Sequence, residues 1–199
     1  MTRIKLCGLT RPCDIGYANE LLPEYIGFVF AKQSRRYLSP EAAAVLRQQL
    51  DSRITPVGVF VDAAPETVAQ LVGQGIIDLV QLHGHEDDAY IAALRRLTDC
   101  PIVQAFCIRS SGDILAANQS LADYVLLDSG GGTGTAFDHR LLREMTRPYF
   151  LAGGLTPASV GEAVRSLAPF AVDASSSLET EGVKDKQKMT AFVEAVRKE

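Results

Sequence analysis

The stretch Lys5-Leu6-Cys7-Gly8-Leu9-Thr10 separates the two architectures that the chain's alternating pattern allows. The apolar run Ile4 to Cys7 reads as a buried strand, and the residues after it form its first turn. An open doubly wound sheet makes that turn with G-x-G-x-x-G, whose glycines let the backbone approach a pyrophosphate. Here the turn is Cys7-Gly8-Leu9-Thr10 with one glycine, which favours a closed barrel.

Seven further runs follow: Tyr25 to Phe30, Pro56 to Val61, Ile77 to Leu82, Ile102 to Phe106, Tyr124 to Leu127, Tyr149 to Ala152 and Phe170 to Val172. Strand ends placed at Cys7, Phe30, Phe60, Gln81, Phe106, Asp128, Ala152 and Asp173 succeed one another at 21 to 30 residues. The intervening segments carry helix signals. Ser39-Pro40 and Thr156-Pro157 place a hydroxyl N-cap before a proline at the first helical position, and Asp185 is placed to cap the last helix. In that helix Met189, Phe192, Val193 and Val196 share one face. Strands buried on both faces and joined by helices make a parallel sheet, and eight such units close as an α/β fold of the (β/α)8, or TIM barrel, type. No linker or abrupt change of composition interrupts the pattern, so residues 1–199 are expected to form one compact domain.

The chain has 199 residues, of which 47% are hydrophobic and 22% charged, which excludes disorder, collagen and coiled coil. Twenty basic and twenty-four acidic residues leave a net charge of -4, which predicts no binding to nucleic acid or an anionic membrane. The apolar run Tyr25 to Ala31 is far shorter than the roughly 20 residues that span a bilayer. Cys7, Cys13, Cys100 and Cys107 form no C-x-x-C pair, and with no signal peptide before the first strand they point to a reducing cytoplasm.

Barrel sites lie at the C-terminal ends of the strands. There the chain has Gly130 to Gly134 after the sixth strand, Gly153-Gly154 after the seventh and Ala174 to Ser177 after the eighth. Glycines and hydroxyls in the last two loops match the usual barrel phosphate position, so a small phosphorylated ligand is expected. Cys7 closes the first strand and is a candidate base if its thiolate is tuned. Its alternative role is that of a small buried hydrophobe, the role also expected of Cys13, Cys100 and Cys107. Asp128 ends a buried strand and suits a general acid, or else a loop anchor. Arg36 is a candidate grip for a substrate carboxylate. His83, in Gln81-Leu82-His83-Gly84-His85, suits a hydrogen-bonding role at the rim, since no acidic or cysteine cluster completes a metal site.

Taken in order, Lys5 to Thr10, Gly27 to Phe30, Ser34-Arg35-Arg36, Val57 to Val61, Val80 to Gly84, Leu126 to Asp128, Gly132-Thr133-Gly134, Phe137-Asp138, Leu151 to Leu155 and Val172 to Ser176 resemble the phosphoribosylanthranilate isomerases almost end to end. The resemblance implies an Amadori rearrangement in tryptophan biosynthesis, with Cys7 as general base, Asp128 as general acid and Arg36 on the anthranilate carboxylate. Substrate contacts are expected at Gln81 and His83 as well. Phosphate contacts are expected at Gly132, Gly134, Gly153, Gly154, Asp173, Ser175 and Ser176. Neither metal nor organic cofactor is implied, and a monomer is the default. Ser177 stands where the family has glycine, and His139 where tryptophan is common.

Two alternatives stand beside this reading. One is a related phosphosugar isomerase, such as that of histidine biosynthesis, which normally has an aspartate where this chain has Cys7. The other is a phosphate-binding barrel without catalysis.

Overall fold

A computed structural model describes residues 1–128 and 139–199. Eight parallel strands close into a barrel: β1 (Arg3–Cys7), β2 (Tyr25–Val29), β3 (Thr55–Phe60), β4 (Leu79–Leu82), β5 (Ile102–Cys107), β6 (Tyr124–Asp128), β7 (Tyr149–Leu151) and β8 (Ala171–Ala174). Each strand pairs with the next, and β8 returns to β1 with Lys5 opposite Asp173. Helices α1 (Pro12–Leu21), α2 (Pro40–Gln49), α3 (Pro65–Gly73), α4 (Asp88–Leu94) and α5 (Ser111–Gln119) follow the first five strands; α6 (Val160–Leu167) and α7 (Lys186–Arg197) follow β7 and β8. Between β6 and β7 the described residues contain a 3-10 segment, His139–Glu144.

Period-two alternation along each strand separates two cores. Outward residues such as Leu6, Phe28, Val80, Leu127 and Val172 pack under the helices, where α7 buries Met189, Phe192, Val193 and Val196 as the sequence leads one to expect. Inward residues Val57, Leu79, Val103, Leu126, Phe150 and Ala171 fill the lower barrel. The Phe150 ring lies 5.4 Å from Tyr25 and 5.5 Å from Phe170, with Arg3 4.3 Å above Phe170. This aromatic plug fills the N-terminal end of the barrel. Small residues line the other end, where Cys7, Val29, Ala31 and Val59 form a separate inner cluster.

Ser39 caps α2 by accepting from the Ala42 amide, and Asp185 caps α7 by accepting from Gln187 and Lys188. The expected start of α6 at Pro157 is not observed. Thr156 and Ser159 bond each other through hydroxyl and backbone, which makes a separate turn and delays the helix to Val160. The packing role expected of the spare cysteines holds for buried Cys100, whereas Cys13 and Cys107 are exposed. Cys107 is the last residue of β5, where the ladder gives way to a surface loop. After β8 come a short 3-10 segment (Ser176–Leu178) and a hairpin of β9 (Glu179–Thr180) and β10 (Val183–Lys184). Glu181 and Gly182, both left-handed, make its two-residue turn.

No helix among the described residues is long and apolar enough to cross a membrane. Replacing Phe192, which is fully buried, by alanine is expected to cost about 3–5 kcal/mol in urea unfolding, because α7 then leaves a cavity against the barrel.

Candidate active site

The same parity that fills the lower barrel turns Cys7, Gln81, Asp128 and Asp173 inward at the upper ends of their strands. They line a cavity of about 370 Å³ together with Arg36, His83, Gly153, Gly154, Ser175 and Ser176. That volume suits a small ligand. Gly132 and Gly134 lie outside the described residues. Among the described residues no group of three His, Cys, Asp or Glu side chains is placed to hold a metal.

Cys7 owes its position to a gap in the neighbouring strand. Its ladder partner is Gly27, and a Cβ there would come within 2.6 Å of the Cys7 sulfur. Two residues down β1, Lys5 faces the same way and is 1% exposed; its ammonium donates to Asp173 Oδ2 at 2.8 Å. Breaking such a buried pair by removing one partner costs about 3–5 kcal/mol. Burial opposes the charge on Lys5, but the Asp173 carboxylate and the Cys7 thiol outweigh it and hold the ammonium above its usual range. Burial pushes the Cys7 thiol up, opposed first by Lys5 and more weakly by Lys184. Asp173, also raised by burial, has Oδ1 buried with no hydrogen-bond partner among the described residues.

Asp128 lines the same cavity as Cys7 from β6, three strands away around the barrel. His83 Nε2 is 3.7 Å from Asp128 Oδ2, and its Nδ1 is 2.9 Å from the Gln81 amide nitrogen. The Gln81 side-chain amide thus meets one ring nitrogen, while the other faces Asp128. Gln81 is itself buried, which fixes the ring from below.

Arg36 reaches the cavity from the loop after β2, with its guanidinium already engaged. Nε and Nη2 donate to the two Glu179 oxygens at 2.5 and 2.9 Å. That edge of the guanidinium is therefore engaged within the protein, and the end formed by Nη1 and the second Nη2 hydrogen is the one left to meet a substrate carboxylate. Glu179 also accepts from Arg35 at 3.1 Å and from the buried Lys184 at 2.7 Å. Hydrogen bonds from Arg36 and Lys184 overcome the upward pull of burial and hold the Glu179 carboxyl below its usual range. Burial lowers the Lys184 ammonium. Sequence reasoning missed Lys5, Glu179 and Lys184. For Lys5 a signal existed, its i, i+2 spacing from Cys7. Glu179 and Lys184 show none, because they meet Arg36 only across the closed seam.

At the β7 end Gly153 and Gly154 both have left-handed backbones, φ 88° and 67°, a pair that side chains would strain. Across from them Ser175 donates its hydroxyl to the Cys7 carbonyl at 3.0 Å and accepts Lys184 at its own carbonyl, also at 3.0 Å. That hydroxyl ties β8 to β1. Ser177 lies in the 3-10 segment and is not left-handed, so its Cβ imposes no strain there.

The model of the N-(5'-phosphoribosyl)anthranilate isomerase family matches residues 4–195. An isomerase of that name from Endomicrobium trichonymphae is 41% identical over 202 residues, covering 99% of both chains. The chain belongs to the N-(5'-phosphoribosyl)anthranilate isomerase family. The crystal structure of the family's enzyme from Thermus thermophilus superposes with a TM-score of 0.89 at 33% identity, covering 99% of each chain. A second crystal structure of this isomerase, in complex with reduced 1-(o-carboxyphenylamino)-1-deoxyribulose 5-phosphate, gives 0.86 at 29% identity and covers all of both chains. As a phosphoribosylanthranilate isomerase the protein catalyses an Amadori rearrangement of tryptophan biosynthesis.

In this isomerase the Gly27–Cys7 contact makes a specific demand on packing. Gly27→Ala is expected to lose about 1–3 kcal/mol in urea unfolding by overpacking. The loss should shrink when Cys7→Ala is combined with it, because the sulfur is the nearest atom; equal losses in both backgrounds would refute the contact.

Proposed function

We propose that Cys7 and Asp128 are the base and acid of this rearrangement, and that Arg36 and the β7–β8 corner hold the two anionic ends of the substrate. The observation that carries this reading is that Cys7 and Asp128 face one cavity from separate strand ends, with Gly153-Gly154 at its edge. The ligand named in the related complex has a carboxyphenyl group at one end and a phosphate at the other. A cationic edge and a set of backbone N–H groups are the matching partners. Arg36 Nη1 therefore takes the carboxylate, and the backbone around Gly153, Gly154, Ser175 and Ser176 takes the phosphate. Asp173 is better assigned to Lys5 than to the phosphate, since a carboxylate paired with an ammonium has no proton to donate to an anion.

In this mechanism Asp128 gives a proton to the ribose ring oxygen, the C1–O bond opens and the nitrogen lone pair forms a Schiff base. The Cys7 thiolate then takes the C2 proton, and the electron pair moves to make an enolamine that tautomerises to the aminoketone. Binding through both ends of the substrate holds C2 against the base, which lowers the entropic part of the reaction barrier. His83, held by Gln81, lies beside Asp128 in the cavity that receives the substrate.

Closure of the barrel by its first and last strands supports one domain over residues 1–199. We take the enzyme to be a cytoplasmic monomer that acts on a small phosphorylated molecule and uses no nucleic acid, membrane, metal or cofactor. Sedimentation equilibrium should return the mass of one chain; twice that mass would overturn the monomer.

The direct test follows the loss of fluorescence of freshly made N-(5-phosphoribosyl)anthranilate. Cys7→Ala and Asp128→Ala should stay folded by circular dichroism and lose about 10²- to 10⁴-fold in kcat. Normal turnover by either would remove its assigned role. Because the reaction needs the Cys7 thiolate and a protonated Asp128 together, wild-type kcat/KM should follow a bell-shaped pH profile, and burial of the thiol should place the limb that reports Cys7 above the ordinary thiol range.

A further inference from the structure

Beneath Cys7 lies a charged layer that the rearrangement as described does not use. Barrel interiors at this depth are filled by apolar side chains, as the cluster around Val57, Leu79 and Phe150 shows. Lys5 and Asp173 instead place an ammonium and a carboxylate there, 1% and 8% exposed, directly opposite each other in the β1–β8 ladder. A well-packed apolar pair of similar volume would serve stability as well or better. What an apolar pair cannot supply is a fixed cation one layer below the Cys7 sulfur.

We propose that Lys5 is a positioning residue for catalysis, whose ammonium stabilises the thiolate form of Cys7 while Asp173 holds that ammonium in place and limits its effect. The proposal rests on Cys7 being the base. Four charged side chains act on the sulfur: Lys5 from β1, Asp173 from β8, Lys184 from β10 and Arg36 from the loop after β2. Lys184 and Arg36 share Glu179, so their charges are largely spent on that carboxylate. Lys5 lies on the same strand as Cys7, on the same face, and its influence on the thiol is the largest of the stabilising ones. Removing Lys5 should therefore raise the thiol, and removing the Asp173 charge should lower it. A purely structural ion pair would show no such opposition of sign.

The experiment reads the thiol directly, as the pH dependence of iodoacetamide alkylation of the Cys7-containing peptide by mass spectrometry, with kcat/KM profiles run on the same proteins. Lys5→Met should move the alkylation midpoint up by about one pH unit, lowering the thiolate fraction at neutral pH about tenfold, and Asp173→Asn should move it down. The limb of the kcat/KM profile that reports Cys7 should follow in both cases. Because Lys5→Met leaves a buried carboxylate unpaired and is at risk of misfolding, Lys5→Met/Asp173→Asn is compared with Asp173→Asn, a pair that differs only in the cation. The double variant should have the higher midpoint. Equal midpoints in that comparison, or a folded Lys5→Met with the wild-type midpoint, would overturn the proposal. Full turnover by Cys7→Ala would instead overturn the base and with it the catalytic part of the proposal, leaving the shifts in alkylation as the effect of Lys5 on the thiol alone.

Discussion

The ladder between β1 and β8 is the constraint on which the rest of the molecule depends. Until it forms, the eight strands are an open sheet with two edges and the inward side chains have no common interior. Closing it puts Lys5 opposite Asp173 and Cys7 beside Ser175, so the join between chain ends runs through the site itself. The buried ion pair makes that seam demanding. It resists one-residue slippage, because a slip would turn the ammonium or the carboxylate into the apolar layer beneath the helices.

Division of labour within the barrel follows from the same closure. Aromatic rings of Tyr25, Tyr124, Phe150 and Phe170 pack together at the N-terminal end. At the opposite end the inward positions are small or polar, and a cavity opens there between the strand ends and the loops that carry Arg36, Gly153, Gly154 and Ser175. Gly27 belongs to this economy, since the space for a nucleophile-sized sulfur comes from a missing side chain on the next strand. Among the described residues, carboxylates gather the charges around the cavity: Asp173 with Lys5, Asp128 with His83, and Glu179 with Lys184, Arg35 and Arg36. The Glu179 group links the hairpin after β8 to the loop after β2 and fixes which edge of Arg36 faces the ligand.

Much of the fold was legible because it depends on local periodicity. Each strand run is apolar on both faces, and each lies within two residues of the observed strand start and end. Helix α7 shows its buried face at i, i+3, i+4 and i+7, and its cap is an aspartate immediately before it. Thr156-Pro157 has the composition of a helix entry, yet α6 starts only at Val160, because the hydroxyls of Thr156 and Ser159 satisfy each other first. Local composition does not distinguish a cap from a closed turn.

By itself the sequence determined the eightfold alternation, the strand ends and the residue types at them, since those depend on neighbours a few positions away. Ordered motifs from Lys5 to Ser176 likewise identified the family, because reaction chemistry constrains residue type at each strand end. Only the tertiary structure decided that Arg36 turns its Nε–Nη2 edge to Glu179, that His83 lies between Gln81 and Asp128, and that Asp173 pairs with Lys5. These contacts join residues 2 to 168 positions apart through space. Their geometry exists only after closure sets the angle and height of each strand around the barrel.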